Sequence, residues 1–198
     1  MADKVEAPAF VDGVKISLRP LREADLGQRY LSWLNDGEVT RFLEVGTFPV
    51  TARELREFYQ NVSKSKTDVL FAIVDKETDL HIGNIKLGGI NWVHRFADLG
   101  IMIGDKEYWN KGYGEEACKL LLRFAFENLN LRTVTLGVYG NHVAGKKAYE
   151  KVGFQIDGRI KGYFNCHGEY VDKVIMSISK ERFLTLRCDW GVTGATAG

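Results

Sequence analysis

Cysteine is scarce in this 198-residue chain: Cys118, Cys166 and Cys188 are odd in number and lack metal-site spacing. That excludes a disulfide framework and gives no reason to expect a metal. Cys118 shares a helical side with Leu121, Leu122 and Ala125, the setting of a buried, reduced thiol. An excess of one charge is missing too, since 27 Lys and Arg face 26 Asp and Glu, so no overall field recruits nucleic acid or an anionic membrane. No apolar run reaches the length of a membrane span. The opening Met1-Ala2-Asp3-Lys4-Val5-Glu6-Ala7-Pro8 lacks the basic start and apolar stretch of a secretion signal. A cytoplasmic protein without nucleic-acid or membrane partners is expected. No internal repeat is visible.

What is present is material for one core. Hydrophobic residues make up 45% and aromatics 12%, which supports a single domain at this length. We expect it over residues 14–183, after an N-terminal extension at 1–13 and before a C-terminal tail at 184–198. The end of that tail, from 189 on, is rich in Gly, Thr and Ala. Strand-like alternation marks 14–18, 69–75, 81–89, 97–103 and 133–139, with a closing pair at 154–164 and 170–179. Helical spacing marks 22–34 (Leu26, Tyr30, Leu34) and a segment opened by the capping box Thr51-x-x-Glu54, with the stripe Leu55, Phe58, Tyr59, Val62. Further helices are expected over 113–128 and up to a C-cap at Gly153. This alternation predicts an α/β (α+β) fold of three αβα layers.

The most informative stretch is Tyr108-Trp109-Asn110-Lys111-Gly112-Tyr113-Gly114-Glu115-Glu116-Ala117, directly after the apolar run Leu99-Gly100-Ile101-Met102-Ile103. A strand ending at Gly104 and Asp105, followed by Gly-x-Gly opening a helix, aims free backbone N–H groups at one spot, as an anion requires. It is not a P-loop, because Lys111 precedes the glycines and no Ser or Thr follows. It is not the dinucleotide fingerprint either: position 117 is Ala, and no acidic residue ends a second strand about 20 residues on.

Downstream lies Asn141-His142-Val143-Ala144-Gly145-Lys146-Lys147-Ala148-Tyr149-Glu150-Lys151-Val152-Gly153-Phe154. Together with the Gly-x-Gly element this resembles the GNAT superfamily of acetyl-CoA-dependent N-acetyltransferases. The resemblance is to the branch containing ribosomal-protein N-terminal, spermidine and amino-sugar acetyltransferases. Its opening, Ile16-Ser17-Leu18-Arg19-Pro20-Leu21 with Asp25, and its closing hairpin, Phe164 to Asp172, are both present. The resemblance implies a mixed, mostly antiparallel sheet splayed between the family's strands four and five, here 97–103 and 133–139. It also implies acetyl-CoA as donor, with Met102, Ile103 and Gly104 giving backbone bonds to pantetheine and the amides of Asn110, Lys111, Gly112, Tyr113 and Gly114 holding the pyrophosphate. Trp109 stands where the family usually has Gln or Arg. Either Asn141 or His142 takes the place of the family's Asn.

The same resemblance implies that Tyr149 is the general acid, its hydroxyl near the thioester sulfur. Asp98 sits where this branch often carries an acidic residue, and strand alternation puts it on the face of Gly100 and Met102, so it is the candidate base. Leu136 replaces the strand-five glutamate of the ribosomal alanine enzymes. Acceptor contacts are expected from Trp33, Glu38, Glu44, Trp92 and Tyr163. The leading acceptor is a small-molecule amine of amino-sugar or polyamine type. A protein N-terminal acetyltransferase and a silent acyl-CoA sensor are the alternatives, and a homodimer is left open.

Overall fold

The capping box at Thr51 opens a helix as its chemistry dictates: Glu54 N–H donates to the Thr51 hydroxyl while the Glu54 carboxylate accepts from Thr51 N–H at 2.8 Å. In the computed structural model, which describes residues 9–166 and 168–190, that helix is α2 (Ala52–Lys64), after α1 (Gln28–Leu34). The strands are β1 (Val11–Asp12), β2 (Ile16–Pro20), β3 (Val69–Asp75), β4 (His81–Asn91), β5 (Phe96–Ile103), β6 (Thr133–Tyr139), β7 (Gln155–Cys166) and β8 (Glu169–Ser179). Helices α3 (Tyr113–Arg123), α4 (Val143–Val152) and α5 (Lys180–Leu186) complete the fold.

The eight strands form one sheet in the order β1-β2-β3-β4-β5-β6-β8-β7. Every neighbouring pair is antiparallel except β5 and β6, which run parallel. Strand alternation sends Phe71, Ile73, Ile85, Leu87, Ala97 and Leu99 into one core with Leu120, Leu121 and Leu122 of α3. Ala72 and Val74 turn the other way and pack with Tyr30, Trp33, Leu34 and Leu55 of α1 and α2. The sheet is therefore the middle of three layers.

Several expected boundaries move for visible reasons. The strand expected from 14 is β2 and begins at Ile16, because the N–H groups of Val14 and Lys15 donate to Glu116 Oε1 at 2.6 and 2.9 Å. The segment 22–34 is a 3₁₀ turn, Glu23–Asp25, followed by α1; Gly27 between them is extended and caps the second piece. The helix expected to reach 128 is α-helical only to Arg123 and widens into a π-turn over Phe124–Asn128. Of the α2 stripe only Leu55 is buried. Helix α5 runs through the boundary expected at 183, and Trp190 packs on Phe183 at 5.4 Å. Residues 1–8 of the extension, 191–198 of the tail and His167 in the closing hairpin lie outside the described residues. Among the described residues no helix is long and apolar enough to cross a membrane.

Candidate active site

The parallel ladder between β5 and β6 is short. It pairs Phe96 with Thr133, Ala97 with Val134 and Asp98 with Thr135, and ends there. Beyond Asp98 and Thr135 the strands separate, β5 running on to Ile103 and β6 to Tyr139. Splayed strands leave main-chain donors and acceptors without partners, which an extended ligand can satisfy. The register on the other side says which groups those are. Gly104 N–H donates to the Ile82 carbonyl, continuing the Asn84–Met102 register. By the alternation of an antiparallel ladder, the main-chain groups of Met102 and Gly104 turn toward β4, and those of Ile101 and Ile103 toward the opening. Met102 and Gly104 therefore do not offer the backbone bonds expected of them. The Ile103 carbonyl is taken as well, accepting from the Trp109 indole N–H at 2.8 Å.

Past Ile103 the chain turns into α3, whose N-cap is Gly112, at φ +85°, and no side chain caps the helix. Asn110 is also left-handed, at φ 59°. A Cβ at Gly114 would meet only Ile103 and Ile101 side-chain carbons at 3.8 and 3.9 Å, so the space before the helix is open. The first-turn amides and the positive end of the helix dipole thus face an open cradle suited to a pyrophosphate. A cation that no motif announced stands beside it: Lys15 Nζ donates to the Lys111 carbonyl at 3.0 Å and lies 5.7 Å from the Tyr113 ring. It is brought there because Glu116, on α3, holds the loop before β2. The Tyr113 hydroxyl donates to Asp75 at 3.1 Å, and burial together with that carboxylate pushes its pKa up to about 12.

At the vertex of the splay, Asp98 accepts a hydrogen bond from the Thr135 hydroxyl at 3.1 Å. The carboxylate is reached by solvent yet hemmed in by protein. Loss of hydration raises its pKa above the usual carboxylate range, against the Thr135 bond and the charges of Lys173 and Lys86, which lower it. Tyr149, on α4, sets its ring against Phe154 at 5.9 Å. Its pKa is raised by burial first, then by Cys118 and by Asp98. The phenol is therefore protonated and within electrostatic reach of Asp98.

On the opposite face of the sheet, between α1, α2, their connecting loop and β3 to β5, lies a cavity of about 310 Å³. Leu43, Val45, Val50 and Phe58 form its outer wall, and Asn84, Lys86, Gly100 and Met102 its floor. Gly100 is two residues from Asp98 on the same face of β5.

A family model described as an acetyltransferase (GNAT) domain matches residues 15–155. The chain belongs to the GNAT acetyltransferase family. It is 30% identical over 171 residues to the spermidine N(1)-acetyltransferase of Escherichia coli K12, covering 85% of this chain and 88% of that protein. It is 27% identical to an uncharacterized N-acetyltransferase, p20, of Bacillus licheniformis, covering 88% and 97%. Among solved structures, spermidine N-acetyltransferase from Vibrio cholerae in complex with CoA and spermine superimposes with a TM-score of 0.79 at 26% identity, covering 86% of this chain and 98% of that one. The GNAT chain is thus an acyltransferase, and the uncapped helix with its left-handed glycine fits acetyl-CoA as co-substrate.

Of the acceptor contacts expected in this GNAT chain, the structure brings few to the vertex. Trp33 is buried, and its ring lies under Gly104, where a Cβ would stand 2.1 Å from it. It supports the cradle's approach strand instead of facing a substrate. Trp92 is half exposed at the far end of the β4–β5 hairpin and donates to the Lys66 carbonyl at 2.9 Å. Glu38 pairs with Lys106, as does Asp36. Glu44 is exposed, close enough to Tyr139 to raise its pKa after burial has done so. Tyr163 packs on Phe164 and under Lys173, whose Nζ is 4.9 Å from the Tyr163 ring. At the family's Asn position, the Asn141 amide reaches Cys166 Sγ at 3.6 Å, while His142 stacks on Phe42 at 4.0 Å. The missed residues, Lys15, Asn84, Lys86 and Lys173, carry no motif; strand register places Asn84, Lys86 and Lys173, and Glu116 places Lys15.

Proposed function

We propose that this GNAT enzyme moves an acetyl group from acetyl-CoA directly to the primary amine of a small molecule. What supports the reading is Asp98, a carboxylate of raised pKa at the vertex, with the Tyr149 phenol in electrostatic reach of it and an apolar cavity lined by Gly100 and Met102. An amine with a pKa of about 10.4 is neutral in roughly one molecule per thousand near pH 7.4, a cost of about 4 kcal/mol. Asp98 takes the amine's proton; its raised pKa makes it a stronger base than an ordinary carboxylate. The amide of Ile101, on the open edge of β5, faces the oxyanion, and Tyr149 delivers its proton to the departing thiolate. Asn110 to Gly114 and Lys15 hold the pyrophosphate.

The relatives' printed substrates are polyamines, so spermidine heads the comparison panel, with amino sugars and α-amino peptides beside it. Release of free CoA, measured against each amine, tests the reading. Turnover of a small amine above every peptide is the expected result. Faster turnover of peptide N-termini would replace it with protein N-terminal acetylation, and tight acetyl-CoA binding without any turnover would make the chain a sensor.

A further inference from the structure

The chamber on the α1–α2 face has polar groups at few points. Among its lining residues only Tyr30, Glu54, Asn84 and Lys86 are polar; the rest of the wall is carbon. Glu54 is already committed, its Oε2 accepting from both the N–H and the hydroxyl of Thr51 at 2.8 and 2.7 Å. Asn84 is not. Its side chain is 5% exposed, one end of its amide meets His81 Nε2 at 3.1 Å, and the other, Nδ2, has no partner. A buried amide end left unpaired in a ligand chamber marks where a ligand atom belongs.

Two lysines stand beside the vertex. Lys86 crosses β5 over Gly100, where a Cβ would lie 3.3 Å from its Cε, and Lys173 crosses β6 over Gly137, where a Cβ would lie 2.4 Å from its Cε. The two ammonium groups act on Asp98 from either side.

We infer that the acceptor amine bears a hydroxyl on a largely apolar body and that Asn84 receives this hydroxyl. This rests on the acetyl-transfer reading above and names its substrate class. A hydroxyl suits Asn84 in either orientation of the amide against His81, because it accepts from the NH₂ end and donates to the oxygen; an ammonium only donates. The apolar wall takes the C–H faces of the same molecule.

The test uses three amines with acetyl-CoA: 2-aminocyclohexanol, the hydroxyl-free cyclohexylamine, and spermidine. The hydroxylated amine should exceed spermidine at least tenfold in kcat/KM. Asn84→Leu should remove at least tenfold from 2-aminocyclohexanol and bring it down to the level of cyclohexylamine. Preference for spermidine by the unaltered enzyme, or equal loss of both cyclic amines in Asn84→Leu, overturns the inference. If Asn84→Leu does not fold, Asn84→Ala carries the comparison. If no amine is acetylated, acetyl transfer to small amines fails separately. Calorimetry in the presence of CoA then decides the chamber: tighter binding of 2-aminocyclohexanol supports the inference, and tighter spermidine, or no binding of either, overturns it.

Discussion

A phenol that feels a carboxylate's charge is useful beside it only if each keeps its own protonation state. Tyr149, pushed up by burial, Cys118 and Asp98, stays a proton donor. Tyr149→Phe keeps the ring on Phe154 and removes the proton, so kcat should fall about 10²-fold while acetyl-CoA affinity, read by calorimetry, stays put. Asp98 has the reverse duty. Its pKa is raised, chiefly by burial, so the acid limb of kcat/KM should lie above the usual carboxylate value of about 4. In Asp98→Asn that limb should vanish, and activity should climb about tenfold per pH unit toward the amine's own pKa, as solution deprotonation replaces the base. A profile unchanged by the substitution would remove Asp98 from the chemistry. Asp98 was readable because a strand's period of two assigns its face from neighbours alone. Trp33 was not readable as a support: an aromatic at a helix end looks the same in sequence whether it faces solvent or lies under a glycine three elements away.

At the scale of elements, local chemistry was legible wherever a few adjacent residues decide it. The Thr51 capping box, the Gly153 C-cap at φ +108° and the Gly112 entry to α3 follow from such residues. What failed were continuities, such as a helix assumed to run through Gly27 and another assumed to remain regular past Arg123. The assignment of pantetheine contacts to Met102 and Gly104 failed likewise, because which edge of a strand is free depends on a ladder with β4 that the sequence does not display. The cradle gives two separable expectations. Gly114→Glu puts bulk and like charge before the α3 amides and should weaken acetyl-CoA at least tenfold, about 1.4 kcal/mol, by calorimetry. Lys15→Met leaves those amides intact and removes one cation, so a smaller loss of about fivefold, roughly 1 kcal/mol, is expected, along with a shallower dependence on salt. Equal affinity in a folded Gly114→Glu variant would move the donor out of the cradle.

Over the whole molecule, α1 must be held against the sheet for the chamber to exist, and one ion pair ties the turn that leads into it to β2. Arg19, on β2, donates to both oxygens of Asp25 at 2.7 and 2.8 Å, and the Arg22 amide donates to the same carboxylate at 2.7 Å. Both side chains are nearly buried, at 12% and 9% exposure, so this pair is not a screened surface contact. Burial alone would raise the pKa of Asp25, but the bonds from Arg19 and Arg22 outweigh it and the net shift is downward. A depressed carboxylate stabilises the fold at any pH above its unfolded value of about 3.9, and that contribution drains away as pH falls through its folded pKa. His81, packed between Tyr30 and Trp33, acts at higher pH. Burial lowers its pKa, so the unfolded chain takes up its proton first and stability begins to fall below about 6.5. Thermal melting against pH should therefore show a shallow loss below about 6.5 and a steeper one below about 4. Asp25→Asn should lower stability by roughly 2 kcal/mol at neutral pH and flatten the steeper step. It should also deepen the shallow one, because the Asp25 charge partly restores the His81 pKa. If the variant melts along the same curve as the parent below pH 4, the Arg19–Asp25 pair does not hold α1 to the sheet.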